Sequence, residues 1–281
     1  MSDPFDFEKR DRYAVMGNPV AHSKSPRIHA LFAQQAGHKL EYTAIQVDAG
    51  GFPQAVDQFA AQGGQGLNVT VPFKQEAFQL ADHLSERASI AQAVNTRRFE
   101  ADGRVFGDNT DGAGLVHDLE KNLGVHLKDR RILILGAGGA VRGVLHPLLH
   151  KHPALIVIAN RTVATAKELA EEFSQYGKIE ASSFEGLKGK HFDLVINGTA
   201  ASLKGEIPPL PDNLFTKGAL AYDMMYGEKS RPFLNWAELH GAEHTADGLG
   251  MLVEQAAESF LLWRGVRPET KSVIEKLRAE G

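Results

Sequence analysis

The chain has 281 residues, 43% of them hydrophobic, and a formal net charge of −4 at pH 7, which is enough length and apolar content for two domains or one large one. No basic stripe or aromatic-interleaved basic patch supports nucleic-acid binding, and the absence of cysteine rules out disulfides, thiolate zinc sites and a cysteine nucleophile. The opening MSDPFDFEKRDR is too charged for a secretory leader and no apolar run reaches membrane-spanning length, so a cytoplasmic protein is expected, without internal repeats or low-complexity tracts.

Taken in order, Tyr13–Met16 reads as a first strand. Pro26 suits a first helical position and Ser25 an N-cap, so a helix is expected from there to about Ala36, before Gly37. Ser23 and Ser25 would then flank a helix N-terminus, where hydroxyls beside free N–H groups can seat a small carboxylate; capping alone would also account for Ser25. A strand follows at Leu40–Val47, then a helix at Phe52–Gln62 and a turn at Gly63–Gly66. The next strand, Leu67–Val71, alternates, with Leu67, Val69 and Val71 facing one way and Asn68 and Thr70 the other. Pro72 ends it and Phe73 begins a helix. Lys74 in the first turn opposes the helix dipole at a cost of a few tenths to about 1 kcal/mol. Either it is solvated and snorkels off the helix end, or it is a partly desolvated acid or base.

Helix continues through Ala88–Ala93, and Val94-Asn95-Thr96 leads into a hairpin, Arg97–Glu100 and Arg104–Phe106, with the Asn95 amide placed to enter a site. Gly107-Asp108-Asn109-Thr110-Asp111-Gly112 is dense in short polar residues and precedes a helix to about Leu123; Asp111 is either its N-cap or the partner of Lys74.

The run Ile132–Leu135 then meets Gly136-Ala137-Gly138-Gly139-Ala140 and a helix to about His150: strand, glycine turn, helix. Glycines permit positive φ and close backbone approach, and the N–H groups opening the helix favour a phosphate. The first two glycines of GxGxxG are present, but Val141 occupies the third position, so a buried strand ending in a glycine turn is the plain alternative. A second apolar strand, Ala154–Ala159, ends at Asn160-Arg161-Thr162, where a dinucleotide fold reads the adenosine ribose. An acidic residue there would hold the 2′-hydroxyl of NAD; Arg161 suits a 2′-phosphate, and NADP is expected. Further parallel-type strands, Phe192–Ile196 and Ala219–Asp223, end at Asn197-Gly198-Thr199 and Met224-Met225-Tyr226, in loops where open α/β sheets bind ligands. Asp247-Gly248-Leu249-Gly250 precedes an amphipathic helix, Met251–Arg264, and a last helix starts near Pro268. Gln255 lies in its apolar stretch, where an interhelical hydrogen bond is the plain reading. His146, His150 and His152 lack an acidic third ligand or an HExxH pattern, and no metal is expected.

Together these segments resemble the shikimate dehydrogenases: SKSP at Ser23–Pro26, NVTVPFK at Asn68–Lys74, AVNT at Ala93–Thr96, GDNTDG at Gly107–Gly112, GAGGA at Gly136–Ala140, NRT at Asn160–Thr162, NGT at Asn197–Thr199 and GLGMLVEQA at Gly248–Ala256. Each is short; their joint occurrence in this order is far more specific than the glycine turn. The resemblance implies an α/β fold of two domains. A Rossmann-like NADP domain, residues 112–248, would be inserted into a substrate domain with a mostly parallel sheet, residues 1–111 and 249–281, with the active site in a cleft between them that can close. It implies reversible NADP-linked reduction of 3-dehydroshikimate to shikimate, a step of aromatic amino-acid biosynthesis. Ser23 and Ser25 would hold the substrate carboxylate, Thr70, Asn95, Asp111 and Gln255 the ring hydroxyls, and Tyr226 would line the site. Lys74 would transfer the proton, paired with Asp111. The cofactor set would be Gly136, Ala137, Gly138, Gly139, Ala140, Asn160, Arg161, Thr162 and Thr165, with Met224 and Gly248 at the nicotinamide end and Glu86 at a position sometimes assigned to cofactor. Thr165 is a departure: NADP-using members commonly carry a second basic residue there, and Lys167 is out of step, so the phosphate clamp rests mainly on Arg161.

Rival readings are a quinate/shikimate dehydrogenase with broader substrate or NAD use, a non-catalytic dinucleotide-binding regulator, and a methylene-tetrahydrofolate dehydrogenase. NAD-favouring sisters carry an aspartate after the second nucleotide strand, absent from Thr162-Val163-Ala164-Thr165; retention of Lys74 and Asp111 argues against the regulator; and SKSP and GDNTDG are unexplained by the third. The partner expected is a small-molecule substrate, with no nucleic acid and no membrane. A homodimer is allowed for, since an apolar helix face given to a partner reads the same as core burial.

Overall fold

Consecutive rather than alternating apolar residues mark a strand covered on both faces, and Arg131–Leu135 (β7) follows that rule, buried from Ile132 through Leu135. The computed structural model describes residues 10–199, 201 and 205–280; the first nine residues of the charged opening segment lie outside them. Residues up to Thr110 with Gln255–Ala279 form one compact unit, and Asp111–Glu254 form another.

In the first unit the elements run β1 (Asp11–Gly17), α1 (Ser25–Ala36), β2 (Leu40–Gln46), α2 (Phe52–Ala61), β3 (Gly64–Val69), α3 (Lys74–Gln79), β4 (His83–Leu84), α4 (Glu86–Ala91), β5 (Thr96–Phe99) and β6 (Val105–Asp108). Its sheet has the order β2-β1-β3-β5-β6-β4. The β1–β2, β1–β3 and β4–β6 pairs are parallel, whereas β3–β5 and β5–β6 are antiparallel. Met16, Phe52, Val56, Phe59, Leu67, Val69, Phe73 and Val94 pack as one apolar cluster.

Two expectations are corrected here. The expected turn at Gly63–Gly66 is largely strand: β3 begins at Gly64. A Cβ on Gly64 would fall 2.3 Å from the Phe59 ring, and one on Gly66 would fall 2.5 Å from Trp263 Nε1, so these glycines serve close packing across the sheet. At the other end the strand expected to reach Val71 stops at Val69, and Val71, expected on the same side as Leu67 and Val69, is 67% exposed while they are buried.

The second unit contains α5 (Asp111–His117), one π-helical turn (Asp118–Asn122), β7, α6 (Gly139–Leu149), β8 (Leu155–Ala159), α7 (Val163–Phe173), β9 (Ile179–Ser182), β10 (Phe192–Asn197), β11 (Phe215–Asp223), α8 (Arg231–Leu239) and β12 (His244–Asp247). Helix α9 (Leu249–Arg264) starts in this unit and continues into the first, where α10 (Lys271–Ala279) also belongs. The sheet order is β12-β11-β10-β7-β8-β9, every pair parallel. Leu133, Leu135, Val157, Val195, Ala221 and Phe233 are among the residues filling the core on one face.

Strands β9 and β12 have no apolar run to announce them because they are the two edges, with exposed positions that a central strand lacks. The helix expected to run unbroken to Leu123 changes to π geometry at Asp118. There Asp118 accepts hydrogen bonds from Tyr222 (2.8 Å) and Asn122 (2.9 Å), and a Cβ on Gly250 would collide with its carboxylate.

Candidate active site

The second unit brings its sequence-predicted cofactor residues to one edge by register. Leu135 pairs with Ala159 and Asn197, Asn197 with Asp223, and Asp223 with Asp247, so the ends of five neighbouring strands are level. The residues immediately beyond them are Gly136, Asn160, Gly198, Met224 and Gly248. Gly136 has φ +98°, which an L side chain resists. At Gly138, the N-cap of α6, and at Gly139, an added Cβ would meet nothing within 4 Å, so the helix N-terminus faces open space. A phosphate fits there, held by N–H groups and helix dipole, with Ala137 half-buried and Ala140 exposed beside it.

The departure at Val141 is explained by its neighbour. A third glycine in this pattern lets helix and strand approach; Val141 is fully buried and lies against Gly198, whose added Cβ would be 2.6 Å from Val141 Cγ2. The small residue has moved from the helix to β10's end, and close packing survives. Gly248 is equally constrained, its Cβ position being 2.3 Å from the Met224 carbonyl oxygen. Asn197 and Asp223, both buried, were not singled out by sequence. Asn197 Nδ2 donates to Asp223 Oδ2 (2.9 Å); Asn197 Oδ1 accepts from Thr199 Oγ1 (2.8 Å), and Asp223 Oδ1 from the Met225 N–H (2.8 Å). This pair fixes the turns bearing Met224 and Tyr226. Tyr226 is half-buried, and burial raises its phenol pKa. Asn160 Nδ2 caps its own turn by donating to the Thr162 carbonyl (3.0 Å), leaving Arg161, Thr162 and Thr165 exposed at the carboxyl end of β8 and the start of α7.

The first unit carries a polar network through an otherwise apolar interior. Asn95 Nδ2 donates to Thr110 Oγ1 (2.9 Å) and Gln255 Oε1 (3.3 Å), while Asn95 Oδ1 accepts from the Thr110 N–H (2.9 Å) and Thr96 Oγ1 (2.8 Å). Asn68 Nδ2 donates to the Asn95 carbonyl (3.2 Å), Thr96 Oγ1 (3.1 Å) and Ser259 Oγ (3.0 Å), and Asn68 Oδ1 accepts from Tyr42 OH (2.7 Å). Tyr42 also hydrogen-bonds Ser25, and its burial holds the phenol well above its ordinary pKa. Ser25, Asn95 and Gln255, chosen from sequence, are thus joined by residues that were not: Tyr42, Asn68, Thr96, Thr110 and Ser259. Asn68 stands between buried Leu67 and Val69 in β3 and Ser259 stands four residues after Gln255 on one helix face, signals that polar-in-apolar spacing could have caught.

Ser25 is not the N-cap. Lys24 occupies that position without a side-chain cap, Ser25 is the first residue of α1, and Ser23 Oγ accepts the Ser25 N–H at 3.2 Å. Ser23, the serine harder to explain as a cap, is the one doing a cap-like job. Thr70, just past the end of β3, donates its N–H to the Met16 carbonyl (2.9 Å). Lys74 is half-buried at the first position of α3, and its carbonyl accepts the Val94 N–H (2.9 Å), tying α3 to the segment carrying Asn95. Glu86 is exposed in the first turn of α4. In GDNTDG, Asp108 is structural: Arg87 grips it with two hydrogen bonds (2.7 and 2.6 Å) and Ser85 adds a third (2.5 Å). Burial alone would raise its pKa, but Arg87 and Ser85 with the Asn109 N–H outweigh it and hold the carboxyl below its usual range. Asp111 belongs to the second unit; it is buried in the first turn of α5, inside the helix rather than capping it. Among the described residues no group of three or more His, Asp or Glu is placed to hold a metal ion.

A level row of strand ends around a glycine turn, with an arginine at the ribose-reading position, defines a protein of the dinucleotide-binding class. Residues 15–96 match the shikimate dehydrogenase substrate binding domain, residues 118–204 the shikimate/quinate 5-dehydrogenase domain, and residues 248–278 the shikimate 5′-dehydrogenase C-terminal domain. The shikimate dehydrogenase (NADP(+)) of Cellvibrio japonicus is 58% identical over 96% of this chain and 98% of its own. Among solved structures, an Ael1 enzyme from Pseudomonas putida is 51% identical with a TM-score of 0.90, covering 95% of this chain and 98% of that one. Shikimate 5-dehydrogenase from Thermus thermophilus, in complex with NADP(H) and shikimate, is 34% identical with a TM-score of 0.85, covering 96% and 99%. The chain belongs to the shikimate dehydrogenase family.

Proposed function

We propose that this protein catalyses the reversible, NADP-dependent reduction of 3-dehydroshikimate to shikimate, with residues 1–111 and 249–281 taking the substrate and residues 112–248 the cofactor. The observation that carries the reading is the network linking Ser25, Asn95 and Gln255 in a chain 58% identical to an NADP-dependent shikimate dehydrogenase. Open space at Gly138 and Gly139 and the exposed Arg161 fit a dinucleotide with a 2′-phosphate.

In this reading Ser23 and Ser25 take the substrate carboxylate, and Asn95 and Gln255, with Thr70 and Asp111, take ring hydroxyls. Because the network fixes each amide before substrate arrives, little ordering entropy is lost on binding. When bound, the nicotinamide supplies the hydride that reduces the ketone. Charge developing on the carbonyl oxygen takes a proton from the Lys74 ammonium, which Asp111 holds in place; in the reverse direction Lys74 is the base. Tyr226 lines the substrate site, and Gly136–Ala140, Asn160–Thr162, Thr165, Met224 and Gly248 hold the dinucleotide, with Glu86 at a further cofactor position. The cysteine-free composition suits the cytoplasm, and no described helix is long and apolar enough to cross a membrane. Light scattering on the eluting protein distinguishes a homodimer from a monomer.

The test is a steady-state assay of NADPH formation with shikimate, alongside quinate and NAD. Turnover confined to shikimate with NADP is expected; comparable rates with quinate or NAD would refute the narrow assignment. Lys74→Ala should lower kcat by about two to four orders of magnitude with NADPH binding retained; an active variant would remove Lys74 from the proton-transfer role.

A further inference from the structure

Helix α9 buries a charge that the reaction as described does not use. Glu254 is 0% exposed, and its neighbours Val253, Ala256 and Ala257 are equally buried, so an apolar side chain of similar volume would pack there at less cost. A carboxylate withdrawn from water has to be held, and two residues that hold this one come from the end of α5 and the π turn after it. Asn122 Nδ2 donates to Glu254 Oε1 (2.9 Å), and His117 Nδ1 lies 3.0 Å from Oε2. The histidine contact is at ion-pair distance but lacks the alignment of a hydrogen bond, so charge rather than direction gives it strength. Asn122 Nδ2 also donates to Asp118 Oδ1 (2.9 Å), and Asp118 Oδ2 accepts from Tyr222 OH (2.8 Å). One amide thus serves two buried carboxylates and joins α9 to the π turn.

The chain passes out of the first compact unit at Thr110–Asp111 and returns to it at Glu254–Gln255, so these contacts stand beside a crossing. Asp111 opens α5 and His117 closes it, seven residues in all. So short a helix, followed at once by π geometry, is directed by what grips its two ends. Near its start Gly112 lies against the Gly143 carbonyl, a Cβ there being 2.6 Å from that oxygen. At its end Glu254 takes hold through His117 and, one π turn on, through Asn122. Within the second unit, Glu254 therefore fastens the helix that presents Asp111 to the residue immediately preceding Gln255.

We propose that Glu254 is a positioning residue for proton transfer, fixing α5 and with it the placement of the Asp111 carboxylate. The inference rests on the reading of Asp111 as the partner of Lys74, and the test separates the two. In the full-length protein, kcat, KM for shikimate, KM for NADP and Tm are measured for Glu254→Leu and Glu254→Gln, each alone and combined with Asp111→Asn. Glu254→Leu should lower kcat about tenfold or more, with KM for NADP within about twofold of the parent. Its Tm should stay at or above the parent value, since an apolar side chain replaces a buried charge. Glu254→Gln, which keeps an acceptor for Asn122, should lose less of kcat. In the Asp111→Asn background either substitution should change kcat by less than about twofold, because the group through which Glu254 acts is already gone. Unchanged kcat in Glu254→Leu, or a kcat loss equal in both backgrounds, would overturn the proposal. A fall in Tm with kcat intact would do the same and leave Glu254 a packing residue. Should Glu254→Leu not fold, Glu254→Gln with and without Asp111→Asn decides by the same comparison. Parental kcat in Asp111→Asn alone would instead remove Asp111 from proton transfer, and the proposal with it.

Discussion

His29 is the residue at which burial and titration conflict most. It is fully buried, stacked on Tyr42 (4.2 Å between ring centroids, 6° between planes), and neither ring nitrogen has a hydrogen-bond partner among the described residues. Burial pushes its pKa from 6.5 down to about 3, against a smaller opposing effect of the Asn68 side chain. The folded protein therefore carries His29 neutral, while the unfolded chain binds a proton near pH 6.5. Stability from this group is complete above that pH and is lost as pH falls from about 6.5 toward 3, because the unfolded state then holds the extra proton. His29→Phe, which keeps the stacking, should flatten Tm against pH between 6.5 and 4 relative to the parent; parallel profiles would show that His29 does not govern the acid limb. Asp108 adds to the same limb, its stabilisation being present above the ordinary carboxylate range and lost at lower pH. Asp108→Asn breaks the paired grip of a part-buried Arg87 on a buried carboxylate and should lower the urea-unfolding free energy by about 3 kcal/mol with the m-value unchanged.

At the scale of elements, close approaches decide what a turn or strand becomes. Gly198 and Val141 exchange the roles that the glycine pattern assigns to one position. Gly198→Ala should overpack the junction of β10 and α6, costing about 1–3 kcal/mol and raising KM for NADP. Adding Val141→Ala should restore much of both, a coupling that Tm and KM measured on the two single variants and the double variant would expose. Additive losses would show that the two side chains do not share the space. Gly112 makes a similar demand: its Cβ position lies 2.6 Å from the Gly143 carbonyl oxygen, which explains why α5 packs so tightly on α6 in the second unit.

Across the molecule, the proposed cofactor residues other than Glu86 fall in the unit Asp111–Glu254, as do Asp111 and Tyr226 of the proposed substrate set, whereas Ser23, Ser25, Thr70, Asn95 and Gln255 fall in the other. Binding of the two ligands should therefore be separately adjustable. Arg161→Ala is expected to raise KM for NADP about 10-fold or more, leaving KM for shikimate and activity with NAD near the parent values. Asn95→Ala should do the reverse, raising KM for shikimate without altering NADP affinity; loss of both affinities in either variant would contradict the division.

Much of this organisation was legible before folding. Consecutive apolar runs at Ile132–Leu135 and Ala154–Ala159 read as strands covered on both faces, and the motif order from SKSP to GLGMLVEQA identified a family because so many short constraints rarely coincide. Arg161 predicted the cofactor's phosphate from the chemistry of its side chain. What the sequence could not reveal depends on contacts between distant segments. Edge strands β9 and β12 owe their conformation to a neighbour's ladder, and β3 begins with two glycines because Phe59 and Trp263 occupy the space a side chain there would need. Val141 is acceptable because Gly198 is small. The Tyr42–Asn68–Ser259 chain exists because residues up to 217 positions apart meet in one buried layer. Composition, periodicity and motif are properties of neighbouring residues and survive in a linear reading, whereas burial and hydrogen-bond partnership are set only once the chain has closed on itself.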